Sequence, residues 1–94
     1  MIGVWTRLSV ADLVALRKHI GERNLVAARA VARRIVLAVD QLARFPAMGR
    51  PGRVAGTREL VVPGTPYLVP YRVRDERIEL LRVLHGARMW PKRF

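Results

Sequence analysis

The chain has no cysteine among its 94 residues, which removes disulfides, thiolate nucleophiles and zinc–thiolate sites in one step. Histidine is almost as scarce. His19 and His85 stand far apart in sequence, too few for a dedicated metal centre, so neither a metal nor a cofactor is expected. Acidic side chains are few, and lysine supplies only two of the eighteen cationic residues. No apolar run approaches the roughly 20 residues that a membrane span needs. The start, Met1-Ile2-Gly3-Val4-Trp5-Thr6-Arg7, lacks the charged-then-apolar layout of a secretion signal. A cytoplasmic location without a membrane partner is expected. Repeats, low-complexity stretches and linkers are also missing, so residues 1–94 are read as a single domain.

What is present is apolar material and positive charge. A chain this short buries roughly 60–65% of the surface it exposes when unfolded, so one core must supply its stability. Hydrophobic residues at 51% are enough for that. Eighteen Lys and Arg against seven Asp and Glu leave a formal charge of +11. A genome rich in G and C favours arginine over lysine codons, yet that bias leaves the net charge unexplained. Arginine keeps its charge and grips phosphate or carboxylate through a planar fork. The balance points to a polyanion, an acidic protein, or both in turn.

Periodicity orders the chain. Val4 to Arg7 reads as a short strand. Ser9 offers a helix N-cap with Asp12 three residues on, and Val10, Leu13, Leu16 (or Val14) and Ile20 follow helical spacing to an end near Gly21. Asn24 is the next cap. Ala28, Val31, Ile35, Ala38, Leu42 and Phe45, spaced 3, 4, 3, 4, 3, line one face of a second helix that Pro46 stops. Arg29, Arg33, Asp40 and Arg44 fall opposite. Residues 46–57, rich in glycine and proline, read as a loop without regular structure. Strand-like runs follow at 58–62, 67–73 and 78–84, with turns at 63–66 and 74–76. Pro70 requires either an irregularity in its strand or an amide position that faces no partner. Short connections imply antiparallel neighbours. The fold class is α+β: an N-terminal strand, then a helical hairpin packed on a small antiparallel sheet, in the order β-α-α-β-β-β.

Particular residues in this order resemble a known family. Gly56-Thr57-Arg58-Glu59-Leu60-Val61-Val62, Thr65-Pro66-Tyr67 and Tyr71-Arg72-Val73 are similar to the sheet region of RelE/ParE toxins of type II toxin–antitoxin systems. Val83-Leu84-His85-Gly86-Ala87-Arg88, followed by Trp90-Pro91, resembles the closing segment of the ParE-like branch, once described as plasmid-stabilisation proteins. Asn24 to Ala28, Phe45-Pro46 and Gly49-Arg50 fit the same pattern. The resemblance implies a growth-arresting toxin neutralised by an acidic antitoxin. Its target is DNA gyrase, blocked by binding, in the ParE branch. In the RelE-like branch it is messenger RNA on the ribosome, cleaved without a metal. A binding module whose activity has decayed is a third reading. Fold alone does not choose between them.

Metal-free RNA cleavage asks for a base, an acid and cations at the phosphate. By the RelE-like resemblance, His85, Glu59 and Arg72 are the catalytic candidates, since an imidazole trades protons near neutral pH. Each has a structural alternative. His85 can bond backbone where strand meets tail, and Glu59 beside Arg58 can be a solvated ion pair worth roughly 0–1 kcal/mol. Neither tyrosine lies beyond position 71, which departs from the C-terminal Tyr common in the ribosomal branch. Arg50, Arg53 and Arg58, on or beside the Gly/Pro loop, are target-binding candidates, joined by Arg82 and Arg88. Trp5 and Trp90 read as core or interface residues, and Tyr67 and Tyr71 as core or base-stacking residues, with core favoured in each case.

Overall fold

The computed structural model describes residues 1–94. Its elements are β1 (Ile2–Trp5), α1 (Arg7–Gly21), α2 (Leu25–Leu42), β2 (Arg50–Pro51), β3 (Arg58–Val61), β4 (Tyr67–Arg74), β5 (Arg77–Leu80) and β6 (Leu84–His85). They form one sheet in the order β1-β5-β4-β3-β2, with β6 also pairing β4, and the helices cover one face. The α+β class and element order are as expected. No helix is long and apolar enough to cross a membrane.

The start of α1 differs from the expected cap. Thr6, not Ser9, is the N-cap: its Oγ1 accepts from the Ser9 N–H at 3.3 Å. Ser9 lies inside the helix, buried, and its hydroxyl donates to the Thr6 carbonyl at 2.7 Å. Both residues are of capping type. The choice is made by β1, because the Thr6 N–H bonds the Leu80 carbonyl at the end of the strand. Asp12 is thereby too deep in the helix to cap it. Val10, expected on the core face, is exposed.

Asn24 caps α2 as expected, its Oδ1 accepting from the Ala27 N–H at 3.0 Å. The helix stops at Leu42, so Phe45 does not continue the apolar face and is 62% exposed. Pro46 accounts for this, since the residue before proline is pushed out of the helical region. Asp40 and Arg44, of opposite sign and four residues apart, form no ion pair.

Three further differences concern the sheet. The loop at 46–57 contains a two-residue strand, β2, paired antiparallel to β3 with Arg50 opposite Glu59. β1 runs parallel to β5, so the sheet is mixed; short connections govern only strands joined in sequence, and β1 finds its neighbour through long-range packing. The run 78–84 is broken: β5 ends at Leu80, the chain leaves the ladder, and β6 rejoins β4 at Tyr67 and Leu68. Pro70 sits at that gap. Its carbonyl accepts from the Leu81 N–H at 2.8 Å, and a strand residue's N and C=O point to the same edge. The missing N–H therefore falls where regular pairing has lapsed, so both anticipated remedies for Pro70 occur together.

The core joins Leu16, Ile35, Val39 and Leu42 of the helices to Leu60, Val69, Tyr71, Ile78 and Leu80 of the sheet. Tyr71 also ties down the loop. Its hydroxyl donates to the Pro46 carbonyl at 2.7 Å and accepts from the Gly49 N–H at 2.9 Å. A Cβ at Gly49 would stand 2.6 Å from that ring, so only glycine allows the approach.

Candidate functional site

Alternation along β4 sorts the candidate side chains between two faces. Tyr67, Val69 and Tyr71 point to the helices, while Leu68, Pro70 and Arg72 point away from them. Glu59 is directly across from Pro70 and Glu79 across from Arg72, so both carboxylates belong to the outer face. His85 is across from Tyr67, and the two rings meet edge-on with centroids 5.6 Å apart. His85 therefore lies on the helix side.

On the outer face Glu59 is a hub. Its side chain is 2% exposed, yet both oxygens are engaged. Oε2 accepts from the Arg53 N–H at 2.7 Å, and Oε1 accepts from Arg50 Nη2 at 3.3 Å with Arg53 Nε at 3.7 Å. A buried carboxylate needs this degree of pairing. The solvated Glu59–Arg58 pair does not form, because the strand turns Arg58 to the other face, where it donates to the carbonyls of Ala47 and Gly49 at 3.2 and 2.8 Å. The Arg53 guanidinium lies 3.8 Å from the centre of the Trp90 ring, a cation–π contact. Trp90 Nε1 in turn donates to the His85 carbonyl at 3.2 Å. Loop and tail are thus fastened together through Arg53, and each arginine keeps about half its side chain in solvent.

Arg72 donates to Glu79 at 2.7 Å, with Arg74 at 3.8 Å from the same oxygen. That bond from Arg72 holds the Glu79 carboxyl below its ordinary value, against a smaller opposing push from desolvation. Arg82 makes a two-point pair with Asp12 at 2.6 and 3.0 Å, and Asp12 also accepts from the Val83 N–H at 3.0 Å. The bond to Asp12 raises the Arg82 pKa. Arg88 is exposed on the tail and forms no ion pair.

Glu59, Arg72 and His85 are accordingly not brought together: the sheet separates the imidazole from the two others, and both of those are already paired. Arg50 and Arg53 do share a site; Arg58, Arg82 and Arg88 stand elsewhere. Nor is any group of three or more His, Asp or Glu placed to hold a metal ion.

The helical hairpin carries a third feature, a shallow groove of about 380 Å³ on its outer side. Leu13 and Val14 of α1 face Val36 and Leu37 of α2 across it, with Arg17 and Arg33 at the rim. Val14 and Leu37 are more than half exposed, which is unusual for side chains of this type standing together on a small domain. The helix period foretold only the core-facing stripe. Asp12 and His19, which line a cavity at the sheet end of α1, were also missed; the i, i+3, i+4, i+7 stripe of residues 12, 15, 16 and 19 was the available signal.

A helical hairpin on one face of a mixed sheet, with an arginine-bearing loop fastened to the tail through Arg53 and Trp90, defines a small basic α+β domain. Comparison with known proteins makes the class specific. Residues 4–90 match the model of the ParE toxin of the type II toxin–antitoxin system parDE. The relative Y4kP of Sinorhizobium fredii is 42% identical over 88 residues, covering 94% of this chain and 91% of the relative. Toxin RelE2 of Caulobacter vibrioides is 42% identical over 86 residues, covering 92% and 96%. A solved chain of the chromosomal ParDE TA system from P. aeruginosa superposes with a TM-score of 0.81 at 32% identity, covering 88% of this chain and 92% of that one. The chain belongs to the ParE toxin family of type II toxin–antitoxin systems.

Proposed function

We propose that this toxin arrests growth by binding DNA gyrase in the cytoplasm, with no chemistry of its own, and that a co-produced acidic antitoxin restrains it. The observation that carries the reading is the separation of Glu59 and Arg72 from His85 by the sheet. Acid–base cleavage needs its groups within hydrogen-bond reach of one phosphate, and Glu59 is held by two hydrogen bonds and the Arg53 guanidinium instead. The ParDE neighbour supports the same branch. Arg50 and Arg53, half in solvent and held in place by Glu59, are suited to meet an acidic surface, with Arg58, Arg82 and Arg88 as further contacts. For the antitoxin, the apolar groove with Arg17 and Arg33 at its rim suits an acidic amphipathic helix. The test is a supercoiling assay with purified toxin. Inhibition that the antitoxin relieves is expected; undiminished supercoiling at saturating toxin would remove the reading.

One observation favours a second reading. The Caulobacter relative carries the name RelE2, which speaks for the ribosome and messenger RNA as target, with His85, Glu59 and Arg72 as catalytic residues. Codon-positioned cuts in translated messages, abolished by His85→Ala, would establish it, whereas intact messages during arrest would exclude it.

A further inference from the structure

A cavity of about 440 Å³ lies between α1 and the β6 region of the sheet, and the function proposed above does not use it as a whole. Both histidines of the chain line it, His19 from α1 and His85 from β6, together with Arg88 of the tail and the Asp12–Arg82 pair. His and Asp in one cavity would ordinarily suggest a cation, but the bonding argues otherwise. Asp12 is fully committed: one oxygen accepts from Arg82 Nε and the Val83 N–H, the other from Arg82 Nη2. No free carboxylate remains to hold a metal.

The polar groups left over are donors. His85 Nδ1 accepts from the Ala87 N–H at 3.1 Å, which fixes the neutral ring with its proton on Nε2. Nε2–H is then the group this ring has to offer a ligand. Arg88 has no carboxylate partner, and neither has His19. An anion is the complementary ligand.

Charge and lining narrow its class. Among the lining side chains of fixed charge, the Asp12–Arg82 pair cancels and Arg88 supplies one uncompensated positive charge. That matches a singly charged carboxylate better than a phosphate dianion. Six of the eleven lining residues are hydrophobic, Leu16 and Met89 among them, and the volume is many times the roughly 30 Å³ share of one water molecule. We propose that this cavity binds a carboxylate carried on an apolar body, as an acidic residue beside an apolar one presents in a peptide. An acidic antitoxin is a natural source under the function proposed above, but the chemistry of the cavity does not rest on that reading.

The test uses the full-length chain and hexanoate as probe, followed through the NMR signals of the two imidazole rings at constant ionic strength. Signals of both His19 and His85 should move and saturate together. Arg88→Gln should weaken hexanoate about fivefold or more, as loss of a charge-assisted hydrogen bond implies, while Arg93→Gln, outside the cavity, should leave it unchanged. Hexanol, which keeps the apolar body without the carboxylate, and inorganic phosphate should both fail to saturate. Unmoved ring signals would overturn the proposal, as would equal binding of hexanol. Tighter saturation by phosphate would make this a phosphate site instead.

Discussion

Tyr71 joins the core to the loop that carries the basic residues, and it does so through one oxygen. The phenol fills the centre of the core, while its hydroxyl serves Pro46 and Gly49. Tyr71→Phe keeps the ring but strands a buried N–H and a carbonyl, at a cost of about 1–3 kcal/mol. A urea midpoint unchanged from wild type would refute that role. Burial also raises the phenol's pKa above its ordinary 10.0, outweighing the opposing bond from Gly49 and the charge of Arg58. A raised folded pKa means stability that is intact below the unfolded value and lost as pH climbs through the folded one. Unfolding experiments should therefore show stability falling above about pH 10 in wild type, by more than in Tyr71→Phe. Glu79 works in the opposite sense. Its lowered pKa contributes stability present above 4.5 and lost as pH falls through the folded value. Glu59 was the residue least legible in sequence. Strand alternation set it opposite Leu60, but the two residues that hold it, Arg50 and Arg53, come from a loop earlier in the chain. Nothing local announces either.

At the scale of elements, capping decides where α1 begins, and one substitution separates the two candidate caps. Thr6→Ala removes the acceptor for the Ser9 N–H and the hydroxyl 2.7 Å from the Leu80 carbonyl. It should destabilise the fold by about 1–2 kcal/mol. Equal stability of Thr6→Ala and wild type in thermal or urea melts would return the cap to Ser9. The β4–β5 turn carries a correctable strain. Asp75 and Glu76 both have positive φ, 52° and 59°, the pattern of a two-residue hairpin in which asparagine and glycine are at ease. Glu76→Gly should stabilise the protein by about 0.5–1 kcal/mol, and a lowered melting temperature would contradict it. These cases explain what the sequence could and could not disclose. The second helix was legible because a strict 3, 4 alternation has one interpretation, and its Asn24 cap is local. The division of 78–84 into two strands was not, because an apolar run looks the same with or without a break. Its cause is Pro70, which belongs to the neighbouring strand. The parallel partner of β1 escaped for a related reason, being fixed by the packing of distant segments.

For the whole molecule the governing quantity is the +11 charge and how little of it is spent internally. Only five arginines sit in ion pairs: Arg50, Arg53, Arg72, Arg74 and Arg82. The remaining cations have no carboxylate partner within the chain, so their charge is left to act on an outside partner. Long-range attraction of this sort accelerates encounter and is screened over about 8 Å at physiological salt. The apolar groove of the hairpin, by contrast, acts only on contact and is largely indifferent to salt. The two contributions should therefore separate kinetically in the complex with the antitoxin. Raising salt from about 0.05 to about 0.5 M should slow association by about tenfold or more, while dissociation changes little. Replacing Val14 and Leu37 with serine should do the reverse, hastening dissociation with association nearly intact. Surface plasmon resonance on the purified pair measures both rates. If salt instead drives the complex apart through its dissociation rate, and the groove substitutions leave that rate alone, then the partner is held by buried ion pairs and the exposed apolar residues of the hairpin have no part in the recognition.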